Sequence, residues 1–115
     1  MNMNRASKTS RIIAISLFIL LIAIILFGFI HSKQRSAKIS RCVDNLRTIE
    51  LIKRDWASNE NKTSNDAPSW NDLRTYFPTR WSNNIPVCPS GGAYTIGRNG
   101  ELPTCSIGGY EHSWH

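Results

Sequence analysis

The sequence predicts an α+β fold: one long amino-terminal helix, its first half apolar enough for a membrane, whose amphipathic second half packs on a short helix and a small disulfide-stapled antiparallel β-hairpin. Three observations predict it. Residues 12–30, "IIAISLFILLIAIILFGFI", carry no charge and no proline; an apolar repeat of helical period continues from Ile39 to Ala57; and Cys88 and Cys105 bracket an alternating run with an Asn-Gly pair inside it. At about 1.5 Å per residue, the apolar run matches a hydrocarbon layer of roughly 30 Å.

Residues 1–11 are expected to form a short basic cytoplasmic tail and 12–30 a transmembrane helix. A cleaved signal peptide is the competing reading, since a basic leader precedes the apolar run. The run, however, exceeds the roughly 7–15 residues of a signal core, and the "HSKQRSAK" that follows offers no small-x-small cleavage site. The segment is therefore expected to be retained as an anchor in the lipid bilayer.

The formal charge of +6 does not point to nucleic acid. Residues 1–41 hold seven of the fourteen basic side chains and none of the eight acids, so the excess lies beside the apolar run and the rest of the chain is near neutrality. Anionic headgroups account for such flanks. Basic residues on both sides of the run leave its orientation open, but a Cys88–Cys105 disulfide would persist only outside a reducing cytosol. That reasoning places the carboxy-terminal region outside the cytoplasm.

Residues 31–57 read as the amphipathic continuation of the same helix. Ile39, Cys42, Val43, Leu46, Ile49 and Trp56 form a packing seam, with Asp44, Arg47, Arg54 and Asp55 on the other side. Such a stripe needs a partner surface, and 58–115 must supply it. "SNENKTSNDAP" is a polar loop. "SWNDLRTYF" is a helix of two turns, with Ser69 as N-cap and Asp72 placed for a capping box. "PTRWSNNIPV" is an irregular connection. "AYTIG" and "LPTCSI" are the two hairpin strands, joined at Asn99-Gly100, a pair favoured in tight turns because both residues accept positive φ.

Chemistry is sparse in this reading. Cys42, on the apolar stripe, is expected to be a buried, unreactive side chain. No C-x-x-C or H-x-x-x-H spacing marks a zinc site. Ser113, His112, His115 and Glu111 share a tail whose composition alone supplies triad-type residues, and they read as a solvated terminus. Gly91, Gly92 and Gly97 do not precede a helix and so form no phosphate loop. No catalytic or cofactor-binding residue is expected, and the chain is read as a non-enzyme.

The order of elements resembles the pilin-like proteins of bacterial type II secretion and type IV pili, the major-pseudopilin type above all. The N-L-R-x-I-E run at Asn45–Glu50 and the C-P-x-G-G-x-Y segment at Cys88–Tyr94 are the most specific pieces. The resemblance implies a single-pass protein of the bacterial inner membrane with a periplasmic domain. Its partners would be other envelope or pilin-like proteins, including copies of itself, with no nucleic acid. Prepilins carry a processing glycine before the apolar segment and a glutamate shortly after it, where this chain reads "ASKTSRIIAISLF". Major pseudopilins also bind calcium; here only Glu101 and Glu111 offer carboxylates near the carboxy terminus, so calcium would depend on backbone oxygens. The alternatives are an anchored ligand-binding module or enzyme of the envelope, and a secreted small disulfide-containing domain.

Overall fold

The computed structural model describes the backbone of residues 3–113 and the side chains of 7–109 and 111–113. Residues 1 and 2 of the basic tail, and Trp114 and His115 of the carboxy-terminal tail, lie outside the described residues. The elements are helix α1 (Met3–Asn59), helix α2 (Trp70–Leu73), strands β1 (Tyr94–Thr95) and β2 (Thr104–Cys105), and three single 3₁₀ turns at Arg74–Tyr76, Thr79–Trp81 and Tyr110–His112. The chain divides into two compact units at Arg35/Ser36.

The first unit is helical. Its Ile, Leu and Phe side chains between Ile12 and Ile30 are all exposed, from 41% at Ile22 to 69% at Phe27. Among the described residues α1 is the one helix long and apolar enough to cross a membrane, by length and composition.

The second unit holds the core. Cys42, Leu46, Ile49, Ile52, Trp56 and Ala57 of α1 pack with Leu73, Trp81, Cys88, Tyr94, Ile96 and Cys105. Within the predicted seam, Cys42, Leu46, Ile49 and Trp56 are buried, while Ile39 and Val43 are half-buried at its margin. The steps 42, 46, 49, 53, 56 alternate four and three residues, and Lys53 occupies the seam position that a hydrophobic count passes over. Its side chain is fully buried. The ammonium donates to the carbonyls of Ile96 (3.3 Å) and Glu101, and lies 2.9 Å from Glu50 Oε2. Glu50 is itself 3% exposed and also accepts from Arg54 Nε at 2.9 Å. A lysine thus ties the loop between the strands to the helix.

Helix α1 stops where Asn61 turns left-handed (φ 53°) and Lys62 N donates to Ala57 O at 2.8 Å, the six-to-one bond of a Schellman ending. The capping box predicted for α2 is present: Ser69 Oγ accepts from Asp72 N, and the Asp72 carboxylate accepts from Ser69 N at 2.7 Å. The segment expected to be irregular contributes Trp81, buried edge-on against Phe77 with ring centroids 5.2 Å apart. Trp81 Nε1 donates to Asn45 Oδ1, and Asn45 Nδ2 donates to the Tyr94 hydroxyl, so one α1 amide links both neighbours.

The hairpin pairs Tyr94 with Cys105 and Thr95 with Thr104. It is shorter than expected, and its turn differs in kind. Glu101 N donates to Arg98 O, so Asn99 and Gly100 do occupy the middle of a turn, but neither has positive φ. Their amides are spent elsewhere: Asn99 N donates to Asp66 O and Gly100 N to Ser64 O, both at 2.9 Å. A Cβ on Gly100 would lie 3.2 Å from Ser64 Cβ. This glycine permits the loop after α1 to dock against the hairpin, which is a different reason from the tight-turn preference.

Candidate functional site

Four side chains from four separate segments meet in the second unit. Cys42 comes from the α1 seam. Cys88 opens the "CPSGG" turn, where Gly91 N donates to Cys88 O (2.8 Å), Gly91 takes φ +93°, and Cys88 N donates to Gly92 O (3.0 Å). Gly92 then passes so close to β2 that a Cβ there would lie 2.8 Å from Cys105 Sγ. Cys105 ends β2. Beyond it Gly108 N donates to Cys105 O, and Gly108 and Gly109, both at positive φ, turn the chain into the 3₁₀ turn that returns His112. Glycine enters the positive-φ region without the steric cost that a Cβ brings.

The three sulfurs and an imidazole nitrogen all lie within 4.8 Å of one another, with His112 Nδ1 3.8 Å from Cys88 Sγ. All four residues are buried, at 0, 3, 6 and 8% exposure in sequence order. Burial pushes the Cys42 thiol up to about 12, against the opposing pull of the Tyr94 hydroxyl. Burial also raises Cys88, but there the Ser90 amide, the Cys42 thiol, the Gly92 amide and the Cys105 thiol outweigh it and the net direction is down. Cys88 is therefore readier than Cys42 to carry negative charge. Tyr94 is raised, chiefly by burial.

This arrangement corrects one expectation, for His112, and bears on two others. All three cysteines are free, and no Cys88–Cys105 bridge is shown; both sulfurs instead share their neighbourhood with Cys42. Cys42 is buried as expected, yet it stands in the cluster and is not simply packed among hydrocarbons. His112 is not solvated, because the glycine pair before it folds the tail inward. Glu111, beside it in the chain, is exposed. Glu101 Oε2 accepts from Arg98 N at 3.0 Å and closes its own turn.

Sequence spacing concealed the cluster because its members are 46, 17 and 7 residues apart rather than paired within one knuckle. The available signals were an odd cysteine on a core stripe and a histidine shortly after a glycine pair. Chemically, the group offers two outcomes: oxidation of two of its thiols, or coordination of a soft metal ion by all four donors. A separate open cleft of about 670 Å³ is lined by Arg41, Arg47, Arg80, Trp81, Ile85 and Val87, among others. Compared with protein-family models, with curated proteins and with solved structures, the chain matches none of them.

Proposed function

We propose that this chain is a single-pass, pilin-like structural protein of the bacterial inner membrane, whose domain from Ser36 onward faces the periplasm and makes protein–protein contacts. The observation that carries the reading is the composition of α1. One helix presents an uncharged stretch at 12–30 with every large apolar side chain exposed, and in the same helix a seam at 42–57 buried in a small α+β domain. An apolar surface of that extent has no stable place in water, and lipid or the apolar helices of neighbouring subunits would cover it. Exposed Leu51, Ile85 and Val87 on the folded domain add candidate contacts for partner proteins.

The test is fractionation combined with site-specific photocrosslinking in cells. The chain is expected in the membrane fraction after an alkaline wash, and its folded domain should be digested by protease added to spheroplasts. A photoreactive residue at Ile19 should crosslink it to further copies or to another single-pass envelope protein. Recovery in the soluble fraction would defeat the anchor reading. A membrane-bound chain whose Ile19 crosslinks only lipid would retain the anchor and defeat the pilin-like part.

A further inference from the structure

We propose that Cys42, Cys88, Cys105 and His112 bind one zinc ion as a closed structural centre. This goes beyond the pilin-like reading and holds on either side of the membrane, because it rests on the folded domain alone.

The geometry favours four ligands over a disulfide. Zinc–sulfur bonds of about 2.3 Å and a zinc–nitrogen bond of about 2.0 Å at tetrahedral angles put neighbouring donor atoms roughly 3.5–3.8 Å apart. The donors here all fall within 4.8 Å, and the one resolved sulfur–nitrogen separation is 3.8 Å. A disulfide would use two of three mutually close sulfurs, leaving the third thiol and a buried imidazole with nothing to do. A tetrahedral ion uses all four.

The surroundings are shaped for the ligands. The absence of a side chain at Gly92 is what allows the Cys88 turn to close on Cys105 Sγ, and the left-handed pair Gly108 and Gly109 is what returns His112. Three thiolates and an imidazole select zinc over the hard cations calcium and magnesium, which prefer oxygen. Four protein donors, none more than 8% exposed, leave no open position for water, so the centre is structural rather than hydrolytic. On binding, three S–H bonds break and three S–Zn bonds form; the protons pass to solvent, the neutral imidazole gives the fourth pair, and the centre carries one net negative charge. Its structural effect is to tie α1, the "CPSGG" turn, β2 and the carboxy-terminal 3₁₀ turn together at one point.

The test uses the full chain, purified in detergent under reducing conditions, with cobalt(II) as probe and zinc as competitor. The expected result is the intense visible spectrum of a tetrahedral cobalt thiolate, saturating at about one equivalent, abolished by zinc, with about three protons released per zinc bound. Cys42→Ser, Cys88→Ser and Cys105→Ser should each remove that spectrum. His112→Cys should keep tetrahedral binding and shift the sulfur-to-cobalt bands, since it converts the donor set to four sulfurs. The wild-type titration decides the matter even if a serine variant fails to fold. A reduced chain giving only the pale spectrum of octahedral cobalt, or tetrahedral bands left unchanged by Cys42→Ser or His112→Cys, would overturn the proposal.

Discussion

Leu46 and Leu51 sit on one helix and differ almost only in burial, 0% against 60% exposed, which makes them a matched pair. Leu46→Ala should cost about 2–5 kcal/mol, through lost transfer energy and the cavity left behind. Leu51→Ala should stay within about 0.5 kcal/mol, as surface changes without special partners do. Urea unfolding of a fragment beginning at Ser36 measures both, and equal losses would contradict the seam. Arg54, which reads as a free surface residue in sequence, is a poorer control because it bonds the buried Glu50. Lys53 is the residue that sequence reasoning had least chance of finding. Hydrophobic periodicity scores it as polar, yet its long stem fills a seam position and its ammonium reaches two carbonyls and a carboxylate. Lys53→Met keeps the volume but leaves buried Glu50 with Arg54 as its remaining charged partner and removes the donor to two carbonyls, so it should cost about 3–5 kcal/mol, the usual loss when one partner of a buried pair is removed. Adding Glu50→Gln should recover part of that loss. A Lys53→Met variant as stable as the wild type would show that the network contributes only packing.

At the scale of elements, legibility followed how local each cause is. The α2 capping box was legible because four consecutive residues determine it. Ser69→Ala should therefore lower stability by about 1 kcal/mol. The Ser69 hydroxyl first, and then its amide, hold the Asp72 carboxyl below its usual range. With the folded pKa depressed, the stabilisation is present above the unfolded pKa and is lost as pH falls through the folded one. The penalty of Ser69→Ala should accordingly shrink on acidification below the ordinary carboxylate range, as urea titrations across that range would read; a penalty independent of pH would mean that the carboxylate takes no part. The hairpin was legible as a pair of strands but not in its details. Asn99-Gly100 gives its amides to Asp66 and Ser64, residues more than thirty positions earlier, and no turn preference encodes that docking. The thiol and imidazole cluster was the least legible element, because its four segments converge only once the hairpin, the glycine pair and the helix seam are all in place.

For the whole molecule, the apolar run, the seam and the compact carboxy-terminal region appeared in the sequence in their correct order, since each depends on composition or period over many residues. What composition could not convey is where stability resides. Among the described residues, the buried core lies between Cys42 and His112, within the unit that starts at Ser36. Folding of that unit should therefore not require residues 12–30, whose side chains are exposed and bury nothing in the core. The fragment Ser36–His115 and the full chain, unfolded by urea in the same detergent with equal metal content, should differ by no more than about 0.5 kcal/mol, the range expected for changes at sites sharing no partners. Amide exchange should protect the same Leu46, Ile49 and Trp56 amides in both. A fragment that loses this protection, or unfolds without cooperativity, would show that the helix must be continued toward the membrane for the seam to form. The apolar stretch would then be part of the folding unit rather than an anchor attached to it.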